Sequence, residues 1–533
     1  MKAIRCKKIY TSLSDSLIDG YVLIDSNRIR SIVPVSDWKE SMANEVLDYE
    51  EGFLMPGFND YHVHMAMAAM MEFFGTIRAT KDEDEAARIL YEKNKDRDQS
   101  CWILGGAWDH FIWPGQKLPS RESLDRYFPD TPVFSLNKEC HGAWLNSEAL
   151  RRFGITKETP DPPGGKYFRD GDGEPTGYVH EGAVAPLLRK IFDEISDEEI
   201  AGFIKSFAKM ANSLGITSVA DLPLYSILRA DAYRTLQETG DLSIRVNFSV
   251  GMMEDNEKIE AMRREFTGPL ITFNGVKEFL DGTPMGHTGY LIEPYSDKPD
   301  FVSEPLVPAD VFFDRVKELD AMQIRCRVHC CGDGAVRMAL DAFEKAAESN
   351  GFHDMRHAIE HIEIIAPEDI SRFARIGVIA SVQPEHPPRT HYALHPFHYL
   401  VGEERMKYMW AFKSLQDAGA HLAFGTDYPV VDFTPFKGIF RAANRVTNEL
   451  EPEGGYNPWE KLSVHDILRN YTYGSAFASG QEKELGTLEP GKLADIVVLG
   501  KNPFEIIHNR DQMFNMPVLM TMMDGNVVYE GRK

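Results

Sequence analysis

The middle of the chain alternates short apolar runs of strand character with stretches whose apolar residues recur at helical spacing. The runs fall at 217–221, 244–249, 275–279, 325–329, 358–361, 378–382 and 422–427, preceded by one at 58–64. Helical patterns such as 310–322 and 333–349 separate them. That alternation predicts a parallel sheet with crossover helices. About eight such strands is the count of a TIM (β/α)8 barrel, an α/β fold. Residues from about 75 to 200 are too many for one loop and predict an inserted subdomain. The chain ends read differently, as short strands with turn punctuation at 20–25, 28–33, 494–499 and 525–529. They predict a small composite β-sandwich domain of residues 1–56 and 476–533, flanking a barrel domain of 57–475.

A chain of 533 residues can bury a large core and fold as more than one domain. Its 43% hydrophobic and 26% charged residues place it with soluble globular enzymes. The net charge of -24 leaves no basic surplus to neutralise phosphates, which excludes nucleic acid and anionic membranes as general partners. No run is long and apolar enough to span a bilayer, and the first ten residues lack the apolar core of a signal peptide. Cys6, Cys101, Cys140, Cys326, Cys330 and Cys331 are scattered, and adjacent cysteines make a poor structural disulfide. The expectation is a cytoplasmic protein with a small-molecule substrate as partner and a homodimer allowed.

The chemistry gathers at strand ends. His62 and His64, one residue apart on a strand, share a face while Val63 points away. Such a pair can hold a divalent metal, and it can equally be a solvated pair. Lys277, His329, His361 and Asp427 stand at or near the C-terminal ends of later strands. A barrel collects those ends around one mouth, so the six residues are expected to converge there. Packing or solvation accounts poorly for so many titratable groups on apolar strands.

This set resembles the amidohydrolase superfamily, whose pattern is His-x-His on the first strand, Lys on the fourth, His on the fifth and sixth, and Asp on the eighth. Gly106-Ala107-Trp108-Asp109, Leu124-Asp125, the run from His141 to Leu150, Lys277-Glu278-Phe279-Leu280-Asp281-Gly282, Arg356-His357-Ala358-Ile359-Glu360-His361 and Gly425-Thr426-Asp427-Tyr428-Pro429-Val430 are similar to one branch of it. That branch contains N-substituted formamide deformylase. The tail from Gly486 to Ile496 is similar as well. Asn59 and Thr426 depart from the Ile and Ser common there, at positions that are not ligands. The resemblance implies one or two divalent metals, zinc first. It implies His62, His64 and Asp427 on the more buried ion, His329 and His361 on the second, and an N-carboxylated Lys277 bridging both with a hydroxide. Unmodified, Lys277 would be a buried cation paired with Glu278 or Asp281. Asp427 would take the nucleophile's proton and pass it to the leaving nitrogen.

Other positions stay open. His141 reads as a substrate donor or a structural tie for the insertion, Trp108 as a pocket wall, and Asp281 as a turn cap or substrate contact. Glu360 and Glu363 can orient a ligand histidine, though solvated or ion-paired glutamates are the plainer reading. His386, His391, His395 and His398 lie in a loop-rich stretch and read as surface or pocket rim. The expected function is metal-dependent hydrolysis of a non-peptide C–N bond of amide, N-acyl or N-formyl type, with Asp427, His329 and His361 in the catalytic centre. A deaminase, esterase or isomerase on the same metal site is the alternative, and a non-catalytic binding or scaffold relative a more distant one.

Overall fold

The computed structural model describes residues 1–78, 80–98, 101–138, 140–223 and 229–531. The apolar runs form β1 (Phe58–Val63), β2 (Ile216–Asp221), β3 (Arg245–Gly251), β4 (Ile271–Phe279), β5 (Cys326–Cys330), β6 (Ala358–His361), β7 (Ile379–Val382) and β8 (His421–Phe424). They lie side by side in chain order as one eight-stranded sheet. Every neighbouring pair is parallel. A further parallel bridge, Val63 to Tyr428, brings β1 against the turn after β8 and nearly closes the ring. The result is the TIM-like α/β barrel that the alternating pattern predicts.

Strands β5, β6 and β7 are buried along their whole length, since helices cover one face and the packed barrel interior fills the other. Helix Ala309–Ala321 buries Phe312, Val316 and Leu319, a stripe at helical spacing, and packs on helix Asp333–Asn350. Two strand limits differ from expectation. β4 begins at Ile271 because Gly275 carries it on at φ 103°, where a Cβ would sit 2.2 Å from Arg325 O. β8 stops at Phe424, and the chain then turns inward, with Asp427 at φ 62°.

The chain ends build a second eight-stranded sheet in which Phe53–Pro56 pairs antiparallel with Ile496–Leu499. Within the stretch expected as an insertion lies a five-stranded sheet from Gly106–Trp108 to Pro175–Glu181. The six cysteines are free, and among the described residues no helix is long and apolar enough to cross a membrane.

Barrel and terminal sheet are joined by a buried ion pair. Arg245, the first residue of β3, donates to both oxygens of Asp495 at 2.7 and 3.0 Å, with side chains 2% and 4% exposed. Breaking a buried pair from one side strands the other charge. Asp495→Asn is therefore expected to lower stability by about 3 kcal/mol in denaturant unfolding, whereas a loss under 1 kcal/mol would show that Asp524, also within reach of Arg245, takes over.

Candidate functional site

The site is assembled on the seam between β1 and the turn after β8. Asp60 accepts from the backbone N–H of His62 (3.2 Å), the backbone N–H of Thr426 (2.9 Å) and the Thr426 hydroxyl (2.6 Å). Burial pushes the Asp60 carboxyl up to about 7, against the pull of these three bonds. The Asp427 N–H donates to His62 O at 2.7 Å, and the His64 N–H to Tyr428 O at 2.9 Å. Gly425 is obligatory here: a Cβ would lie 2.5 Å from the His62 nitrogen. The seam so fixed sets Asp427 against the histidine pair, its Oδ1 3.2 Å from His62 Nε2 and 3.0 Å from His64 Nε2.

The remaining expected ligands meet at the same place. His361 Nδ1 is 3.9 Å from Asp427 Oδ2, its ring is 4.8 Å from that of His62, and the His329 ring is 4.3 Å from that of His361. Lys277 lies in range of the charges of Glu360, Arg327 and Asp427. All six side chains are buried. The alternative of a Lys277 cation hydrogen-bonded to Glu278 or Asp281 is not observed: its amine makes no hydrogen bond and lies over the Phe279 ring, 4.8 Å from the centroid.

Electrostatics prepares these groups to donate lone pairs. Burial keeps the imidazoles neutral: it lowers His62, carries His329 down to about 3, and holds His361 well below the ordinary value. Burial also pushes the Lys277 amine down. Asp427 is different, because although burial opposes its charge, the surrounding imidazoles of His62, His386 and His64 hold it well below the usual carboxylate range. His62 Nε2, Asp427 Oδ1, His386 Nε2 and Lys277 Nζ are all buried at ion-pair or van der Waals distances without a hydrogen bond. An unpaired buried polar atom costs roughly 1–3 kcal/mol. Several facing one another, with neutral imidazoles beside an ionised carboxylate, fit a shared divalent cation.

A second layer fixes which nitrogens face inward. His64 Nδ1 donates to Leu222 O at 2.9 Å, leaving Nε2 its lone pair. His62 Nδ1 meets Glu360 Oε2 at 2.7 Å, and the other Glu360 oxygen accepts from Arg327 Nε at 2.7 Å. His361 Nδ1 pairs with Gln383 Oε1 at 2.8 Å, and His329 Nε2 with Gly282 O at 3.2 Å. Glu360 is thus fully buried and ion-paired with Arg327, with its other oxygen turned to His62, rather than solvated. Glu363 lies 3.6 Å from His386 Nδ1.

His386, expected at the surface or pocket rim, stands instead against Asp427. Its Nε2 lies 3.3 Å from Asp427 Oδ2. Burial disfavours its charge, yet the carboxylates of Asp427 and Glu363 outweigh that and carry it up to about 9. The signal was its place four residues beyond β7, at the strand's C-terminal end; its loop neighbours His391 and His398 are exposed, as expected for a rim.

Above the centre opens a cavity of about 680 Å³ lined by His141, Asp281, Lys277 and His329 among others. His141 is half exposed there and bonds Glu181 Oε2 at 3.1 Å. Asp281 accepts from the N–H groups of Cys331, Gly332 and Tyr290, which makes it a loop cap as well as a lining residue. Trp108 does not form the pocket wall. It is wholly buried among Trp113, Trp144 and Tyr178, and its indole N–H donates to Ser135 O at 2.9 Å.

Known proteins are similar along nearly the whole chain. The Bacillus subtilis putative amidohydrolase YtcJ is 28% identical over 98% of both chains. N-substituted formamide deformylase of Arthrobacter pascens is 26% identical over 96% of this chain and 94% of its own. Among solved structures, an uncharacterized metal-dependent hydrolase of Pyrococcus horikoshii superposes with a TM-score of 0.76 at 26% identity, covering 96% of this chain and 99% of its own. A family model described as the amidohydrolase family matches residues 45–529, and the chain belongs to that family.

Proposed function

We propose that this protein is a cytoplasmic, metal-dependent hydrolase that cleaves a non-peptide C–N bond of an amide, N-acyl or N-formyl compound, with the chemistry carried by the barrel domain, residues 57–475. The observation that carries the reading is the buried meeting of His62 Nε2, His64 Nε2 and Asp427 Oδ1 at 3.0 to 3.2 Å without hydrogen-bond pairing between His62 and Asp427. Similarity to N-substituted formamide deformylase supports the bond type.

His62, His64 and Asp427 would hold one ion, and His329 and His361 a second; nitrogen and oxygen donors of this kind suit zinc. A divalent metal here supplies Lewis acidity toward the carbonyl and water acidified to a pKa near ~7. Lys277 serves as an N-carboxylated ligand: its buried, unpaired amine adds to CO2, a N–C bond forms, a proton leaves, and the product is an anionic carbamate. Asp427 Oδ2 receives the proton of the attacking water and returns it to the departing nitrogen. His386, against that same oxygen, holds the carboxylate in line. Glu360 and Arg327 keep the His62 ring from turning.

Protein purified without chelator is expected to contain one or two equivalents of divalent metal per chain by elemental analysis, and to hydrolyse members of a panel of N-formyl, N-acyl amino acid and ester substrates. Absence of bound metal together with absence of turnover, even after addition of zinc or manganese with bicarbonate, would refute the reading. Asp427→Asn is expected to lower kcat by roughly 10²–10⁴-fold. Glu360→Gln, which removes the charge behind His62, should weaken zinc affinity by about 10–100-fold in a chelator competition titration; unchanged affinity would remove Glu360 from the centre.

A further inference from the structure

The cavity over the centre is chemically one-sided. Its floor is Lys277 and His329, and Met252, Met253, Phe279 and Leu306 give it an apolar wall. Glu181, Glu254 and Glu278 contribute carboxyl groups to the same lining, while among the described lining residues there is no arginine and no lysine besides Lys277. Lys277 belongs to the centre itself. Glu254 has its cation, Lys258, at 2.9 Å, and Glu181 has His141. Glu278 uses one oxygen to accept the Phe279 N–H at 2.8 Å.

A substrate carboxylate entering this space would lose water beside the carboxyl groups of Glu181, Glu254, Glu278 and Asp281 and find no guanidinium or ammonium to replace it. Like charges set together at a desolvated contact repel. An ammonium meets the opposite situation, and a hydrocarbon chain can lie along the methionine side chains, which adapt their shape to it. We infer that the physiological substrate is an amide without a carboxylate, joined through an apolar spacer to a cationic group that is read by Glu181, Glu254 and Glu278. The inference rests on the hydrolase reading above and narrows it, setting N-acyl amino acids aside.

The test is a matched series: three N-formyl hexylamines whose far ends are an ammonium, a methyl group and a carboxylate. Metal-loaded enzyme is expected to favour the ammonium over the carboxylate by roughly tenfold or more in kcat/KM, mostly through KM, with the methyl compound between. The preference should shrink at high salt. In Glu254→Gln/Glu278→Gln the ratio of ammonium to carboxylate turnover should fall to about threefold or less; the single variants are compared if the double variant does not fold. Equal or better turnover of the carboxylate compound overturns the inference and leaves the hydrolase reading standing. If no compound turns over, hydrolysis of formamides fails, and the same three are ranked by calorimetric binding to metal-loaded protein. Tighter binding of the ammonium compound then supports the charge reading, and equal or tighter binding of the carboxylate compound ends it.

Discussion

The Asp60 carboxylate is the constraint on which the molecule's chemistry depends. Two segments 366 residues apart in sequence, β1 and the Thr426 turn, are held by its bonds to the Thr426 N–H and hydroxyl. Burying that carboxyl group is unfavourable, as its rise to about 7 records. What it secures is register. With Thr426 fixed, the Asp427 N–H falls on His62 O, Gly425 passes within van der Waals range of His62, and the Asp427 carboxylate faces two imidazoles. Barrel closure and ligand geometry are therefore the same event.

The ion pair inside the barrel answers to the same logic. Arg327 and Glu360 are both fully buried and 2.7 Å apart. A buried pair of this kind adds little net stability over well-packed hydrophobic residues, since desolvation offsets most of the attraction, but removing one partner costs about 3–5 kcal/mol. Stability alone does not explain such an arrangement. Orientation does: the second Glu360 oxygen fixes His62 Nδ1, and Arg327 ties the pair to the β1 backbone through Tyr61 O at 2.6 Å.

Much of this was legible beforehand. Apolar runs located all eight strands, because a strand buried on both faces shows as an apolar run in sequence, and the period of a strand put His62 and His64 on one face. The second layer was hidden for a local reason. β6 ends at His361, where φ turns to 73°, followed by Ile362 at 51°, so the period of a strand does not carry on to Glu363. His386 was hidden by company, standing near three loop histidines that do sit at or near the surface. Trp108 misled in the opposite direction: a motif tryptophan near the site fills the core of the inserted sheet, where its bulk stabilises the cavity's surroundings without lining it.

The junction between Arg245 and Asp495 also bears on how the chain is made. The two residues are 250 positions apart. At synthesis rates of roughly 5–20 residues per second, the guanidinium emerges about 12 to 50 s before its carboxylate exists. Through that interval the start of β3 carries an unmatched charge, and Phe53–Pro56 presents an open strand edge where Ile496–Leu499 will later pair. The nascent barrel thus carries an unmatched guanidinium and an open strand edge until the last strands emerge.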